Sequence, residues 1–209
     1  MTEQYQIGNA QTIGSREVQS NYFSIVDNDA GELFAVLADG TIDHPNGRKA
    51  AIIAVKYCVE TFLQNEIYQQ EDHAMLKIAL GTNKRVQEEI YIGKSPRLSL
   101  TMILLQKQEL QYFNVGGNKL YLYDGHRERI FSSNTNKPYT YVKYQLKPKN
   151  ILGVLSAGAH TVTHPMERIK VIETKGKIFD KAQAIIEVVK GKGLKNQHNA
   201  TVLLIELKK

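Results

Sequence analysis

LFAVLADGTIDHPNG, residues 33–47, is the stretch on which the reading of this chain turns. Leu33 through Ala38 form an apolar run with the length and composition of a buried strand, and Asp39-Gly40 ends it. An Asp where a buried strand gives way to a Gly-containing loop is a natural first ligand for a hard cation such as Mg²⁺ or Mn²⁺, which prefers carboxylate, carbonyl and water oxygens. A lone carboxylate is a poor holder of such an ion. The functional question is therefore whether the rest of the chain brings further carboxylates to Asp39.

Outward from that stretch, the residues order themselves into alternating blocks. Residues 3–13 and 21–28 read as strands. Helices follow: residues 46–63 place Ala50, Ile53, Ala54, Tyr57, Cys58 and Thr61 at spacings of three and four, and residues 72–91 do the same with Leu76, Ala79, Leu80, Asn83, Val86 and Ile90. After Pro96 the period becomes two in LSLTMILLQ, LQYFNVGG and KLYLYDG, with Gly116-Gly117 and Asp124-Gly125 as turns, which predicts an antiparallel meander. A buried strand at 151–156, a helix around 180–190 and a final strand at 200–207 complete the order. Two helices between blocks of antiparallel strands predict an α+β sandwich whose sheets are covered by helix pairs.

Length and composition set the outer bounds. The chain has 209 residues, of which 42% are hydrophobic and 23% charged, as in an ordinary globular protein, and a single domain over residues 1–209 is expected. The start MTEQYQIGNAQ lacks a basic region followed by an apolar stretch, and no run approaches about 18 apolar residues, so the expectation is a cytoplasmic protein with no membrane role. Cys58 is the only cysteine and lies among apolar neighbours, which excludes an internal disulfide and predicts a buried thiol.

The net charge of +6 is concentrated: residues 140–209 carry 13 Lys+Arg against 5 Asp+Glu. Such a surface attracts nucleic acid or an acidic protein when it is more than a solvated lysine face. Aromatic interleaving is thin there, with Tyr139, Tyr141, Tyr144 and Phe179, and no nucleic-acid motif occurs, so nucleic acid is not the expected partner.

Five local motifs, in order, resemble the metal-dependent protein phosphatases of type 2C, the PPM family. GSREVQSN (14–21) is similar to G-x-R-x-x-N-Q-D, and the opening stretch to V-A-D-G-M-G-G-H-x-x-G. FNVGGNKLYLY (113–123) resembles V-G-D-S-R-x-Y, VLSAGA (154–159) resembles L-x-S-D-G-L, and HNATVLLI (198–205) resembles D-N-x-T-V. The resemblance runs from Gly14 to Ile205. It implies a four-layer α-β-β-α sandwich, and an activity in which two metal ions activate a water that attacks a phosphoserine or phosphothreonine ester.

Carried over position by position, Asp39 keeps the bridging carboxylate and Gly40 the backbone carbonyl ligand. Ser20-Asn21 stands where the first motif has its acidic pair or Gln-Asp. Gly117 replaces the Asp after Val-Gly, Ala157 the Asp of Ser-Asp-Gly, and His198 the Asp of Asp-Asn. Ala157 is the most telling, because a methyl group has no lone pair. Asn21 retains an amide oxygen and His198 a ring nitrogen, but neither supplies the negative charge that balances two Mg²⁺ ions. The resemblance with these losses implies a pseudophosphatase that needs no cofactor, or holds Mg²⁺ or Mn²⁺ if activity survives. The alternative is a weak or unusual metal-dependent phosphatase.

Arg16 corresponds to the residue that grips the substrate phosphate in the family. A guanidinium captures phosphate without metal, though it also pairs with a carboxylate such as Glu17 or Asp39. His44 matches the family's His after Asp-Gly and reads as structural. His160 and His164 have the i, i+4 spacing of a zinc pair, but Pro165 argues against a continuing helix and no third ligand follows. Ser-His-Asp, Cys-His and Walker-type motifs are absent. Apolar periodicity is intact throughout, so the fold is expected to serve a binding surface, with a Ser/Thr protein kinase or a phosphoprotein as partner.

Overall fold

The computed structural model describes residues 4–40, 45–64, 74–90, 97–131 and 138–208. Among the described residues, ten strands form two antiparallel five-stranded sheets. Sheet I has the order β2 (Asn21–Asp27), β3 (Leu33–Gly40), β4 (Leu98–Gln106), β5 (Glu109–Val115), β8 (Tyr139–Gln145). Sheet II has the order β1 (Tyr5–Thr12), β10 (Ala200–Leu207), β9 (Ile151–Leu155), β6 (Lys119–Tyr123), β7 (Glu128–Phe131). Helices α1 (Gly47–Gln64) and α2 (Ala74–Glu89) lie on sheet I; the short α3 (Ala157–His160), α4 (Pro165–Glu173) and α5 (Ile178–Gly191) lie on sheet II.

Period-two alternation explains the layering, because successive side chains of a strand face opposite sides of its sheet. In β3, Phe34, Val36 and Ala38 pack under α1, while Leu33, Ala35 and Leu37 meet Leu203, Ile205 and Leu207 of β10 between the sheets. On the far side Val202 and Leu204 pack against Ile185, Ile186 and Val189 of α5. Three apolar layers thus separate four layers of secondary structure, as the α-β-β-α expectation requires. Cys58 is fully buried against the Thr82 hydroxyl at 3.2 Å, and burial pushes its thiol up to about 12, so it is an inert core residue.

Three sequence expectations change. Asp39-Gly40 does not follow the strand but forms its last two residues, Asp39 paired with Asn21 on one side and Ser99 on the other, and Gly40 with Leu98. The predicted meander is broken: β4 and β5 form a hairpin in sheet I, whereas β6 crosses to sheet II and pairs with β7 and β9. The crossing occurs at Gly116, whose φ of 91° suits glycine. β7, β8, α3 and α4 were not expected from periodicity. His44 and the outer ends of the 72–91 helix lie outside the described residues. No helix among the described residues is long and apolar enough to cross a membrane.

Candidate functional site

The inter-sheet layer is apolar along most of its length and polar at one end. Asp39 lies on the same face of β3 as Leu37, so its carboxylate points between the sheets beyond the last leucine. Register places Asn21 and Ser99 directly beside it, one on each neighbouring strand. Thr201 continues the β10 face that carries Leu203, and Asn21 Nδ2 donates to its Oγ1 at 3.0 Å, tying the sheets together. Thr101 and Asn114 complete the layer through a 2.6 Å hydrogen bond.

Asp39 is half-buried, and among the described residues it has neither a hydrogen bond nor an ion pair. Burial alone pushes its carboxyl up to about 6, since water is removed from the charged form and no cation replaces it. The neighbouring Asn21 is 3% exposed and its Oδ1 has no partner. Gly40 fixes the end of the strand: its N–H donates to Ser20 O at 3.2 Å, and a Cβ there would lie 2.0 Å from Gly47 O of α1, so only glycine fits. Ser20 is buried and held by its own N–H, which donates to Asn199 Oδ1 at 2.8 Å.

Gly117 and Ala157 come together from different elements, the β5–β6 crossing and the start of α3. A Cβ built on Gly117 would lie 3.2 Å from Ala157 Cβ. The Gly117 backbone is clamped on both sides: its N–H donates to Ser99 Oγ at 2.9 Å, and its carbonyl accepts from His160 Nε2 at 2.9 Å. The carbonyl has no proton to give, so His160 carries its hydrogen on Nε2. Burial holds the His160 pKa below the ordinary imidazole range, partly opposed by that hydrogen bond.

Among the described residues Arg16 does not meet a carboxylate. Its Nη2 lies 3.2 Å from His198 Nε2, and because a guanidinium only donates, Nε2 supplies the lone pair. Nε of Arg16 is buried without a partner. The zinc geometry fails outright: His160 ends α3, whereas His164 caps α4, its Nδ1 accepting from Met166 N–H at 3.3 Å while Glu167 returns the bond to its backbone. Pro165 is the first residue of that new helix, a position proline favours.

Of the residues singled out in the sequence, the structure sets Ser20, Asn21, Asp39 and Gly40 on adjoining strands, Gly117 beside Ala157, and Arg16 beside His198; Ser99, Thr201 and the clamping role of His160 were not expected. Ser99 is one alternating polar residue of LSLTMILLQ, and only the three-strand register shows that it adjoins Asp39. Among the described residues the available donors around Asp39 are one carboxylate, one amide oxygen and backbone carbonyls, and no group of three or more His, Cys, Asp or Glu is placed to hold a metal. That set does not fit two bridged dications.

The chain's sequence matches no family model and no curated protein. Its structure does have close counterparts. The S. agalactiae serine/threonine phosphatase superposes with a TM-score of 0.85 at 16% identity, over 98% of this chain and 100% of that one. The serine/threonine phosphatase Stp1 from Staphylococcus aureus gives 0.86 at 14% identity, over 100% and 96%. The PPM Ser-Thr phosphatase MsPP from Mycobacterium smegmatis, solved in complex with cacodylate, gives 0.75 at 15% identity, over 97% and 98%. Near-complete coverage in both directions, with two five-stranded antiparallel sheets between helix layers, establishes that this chain has the fold of the PPM-type serine/threonine phosphatases.

Proposed function

We propose that this chain is a catalytically impaired PPM-type domain that acts as a binding or regulatory module in protein phosphorylation. The observation that carries the reading is the juxtaposition of Gly117 and Ala157, where a Cβ on Gly117 would lie 3.2 Å from Ala157 Cβ. These are the positions where the family resemblance calls for carboxylates, and they meet as a bare Cα and a methyl group. With His198 turned to Arg16, Asp39 is left as the one negative charge lining the site among the described residues. A single −1 charge does not offset two dications, so the two-metal activation of water loses its basis.

Arg16 supplies the positive group such a module needs. Its guanidinium already bonds a neutral ring nitrogen, and a phosphate would replace that contact with charge-assisted bidentate bonds. The partner is therefore a phosphorylated Ser/Thr segment of a protein, or the kinase that makes it, and the basic last third favours an acidic one. A second reading has one observation in its favour. The unpartnered Oδ1 of Asn21 beside Asp39, with the nearby Gly40 carbonyl, could serve one weakly held Mg²⁺ or Mn²⁺ and a slow phosphatase.

One experiment separates them. Phosphopeptide hydrolysis and calorimetric titration are run in excess Mn²⁺ on the native chain, Asp39→Ala and Arg16→Ala. The binding reading expects no turnover, and phosphopeptide affinity reduced about tenfold or more by Arg16→Ala, the usual order for a charged hydrogen-bond partner. Turnover that disappears in Asp39→Ala overturns it in favour of the second reading.

A further inference from the structure

A groove of about 860 Å³ opens beside Asp39 and runs around the end of sheet I to the underside of α2. Its origin is the way α2 is held. The helix leans on α1, with Thr82 against Cys58, and with Gly81 so close to Tyr57 that a Cβ would lie 2.3 Å from the phenol oxygen. It touches the strands of sheet I only sparsely. A second stripe of the helix, Leu76, Ala79 and Leu80, lines the groove: Leu76 and Ala79 are partly buried against the core, and Leu80 is 62% exposed. Leu100, Phe113 and Val115 form the opposite wall. The volume falls within the usual range for small-molecule sites, and the lining has their character, mostly apolar with a few polar groups at one end.

The polar end selects the ligand. The Asp39 carboxylate opens into the groove without a hydrogen bond or ion pair among the described residues. Among the described residues Arg97 is the one Lys or Arg lining the groove, and it has a partner of its own; Arg16 stands outside the lining, against His198. Ser99 Oγ, on the same lining, already accepts from Gly117 N–H. A complementary head group must donate hydrogen bonds and carry positive charge, while its body must be apolar. We propose that this groove binds small amphipathic amines, the ammonium on Asp39 and the apolar body between α2 and the wall of Leu100, Phe113 and Val115. The proposal rests on reading the Asp39 centre as a binding site rather than a hydrolytic one, and it adds a ligand of opposite charge to the phosphate assigned to Arg16.

The test uses decylamine, decanoate and decanol, which share an apolar body and differ in the head, titrated into the full chain in EDTA and followed by calorimetry and amide chemical shifts. The expected result is at least about tenfold preference for the amine, with shifts at α2, β4 and β5, and loss of that preference in Asp39→Asn. Leu80→Gln, an uncharged polar change at an exposed position, should weaken decanol and decanoate alike. Equal affinity for the three probes, an amine preference that survives Asp39→Asn, or shifts away from these elements would each overturn the proposal. Phosphopeptide turnover in the presence of Mn²⁺ would instead remove the non-hydrolytic reading, and amine selectivity measured in EDTA reports on the groove by itself.

Discussion

Asp39 concentrates the site's electrostatics in one side chain. The unfolded carboxyl titrates near its ordinary value of 3.8, and the folded one near 6 because burial disfavours its charge. Between those values the folded state keeps a proton that the unfolded state has released. Stability therefore falls as pH rises from about 4 to about 6, and the loss persists above. Asp39→Asn keeps the shape and removes the charge. In EDTA at pH 7.5 the variant should be more stable than the native chain by on the order of 2 kcal/mol, with the difference shrinking towards pH 4. Urea unfolding at both pH values checks this; a difference independent of pH would mean that the carboxylate has a compensating partner. Asp39 was legible from its place after an apolar run. Its neighbours Ser99 and Thr201 were not, since each is an ordinary alternating residue until register and sheet packing bring it to that face.

At the scale of elements, legibility follows the strength of the local pattern. β4 and β10 match the bounds expected of them, and α1 and α5 lie close to theirs, because β4 and β10 bury both faces in apolar layers and each helix buries one. β7 has four residues and β8 no buried position, so neither carries an alternation that sequence could reveal. α4 was hidden by Pro165, read as a stop for one helix when it is the start of the next. Besides the buried ring of Phe131, a buried ion pair holds β7. Arg168 of α4 bonds Glu128 through two contacts of 2.8 and 2.6 Å, with side chains 3% and 7% exposed, and its guanidinium lies 4.3 Å from the Tyr121 ring centroid. Arg168→Leu leaves Glu128 buried and unpaired and should cost about 3–5 kcal/mol. Adding Glu128→Leu should recover most of that loss. Guanidinium denaturation of the two variants tests the pair, and a double variant no better than the single would show that Arg168 acts through Tyr121 and Thr163 instead.

Across the whole molecule, the three apolar layers and the polar end of the inter-sheet layer are separable. Nothing in the packing of α1 on β3 or of α5 on β10 depends on which residues stand at 117, 157 and 198, so a scaffold of this kind keeps its fold while the chemistry at its end is exchanged. The same independence predicts that charge can be returned. Gly117→Asp is the harder route, since its Cβ would press to 3.2 Å of Ala157 Cβ. Ala157→Asp and His198→Asp avoid that contact, at the start of α3 and on an exposed position. Together they raise the formal charge of the cluster from −1 to −3, and hard-cation affinity rises with the number of charged ligands. The double variant should bind Mn²⁺ at least about tenfold more tightly than the native chain by calorimetry. Without metal it should melt at a lower temperature, because three carboxylates repel in a half-buried place, and Mn²⁺ should reverse that loss. The Ala157→Asn, His198→Asn counterpart, with the same shape and no added charge, should show neither effect. If the charged and uncharged pairs bind Mn²⁺ equally, residues 157 and 198 do not face the Asp39 carboxylate, and the family correspondence at those two positions fails.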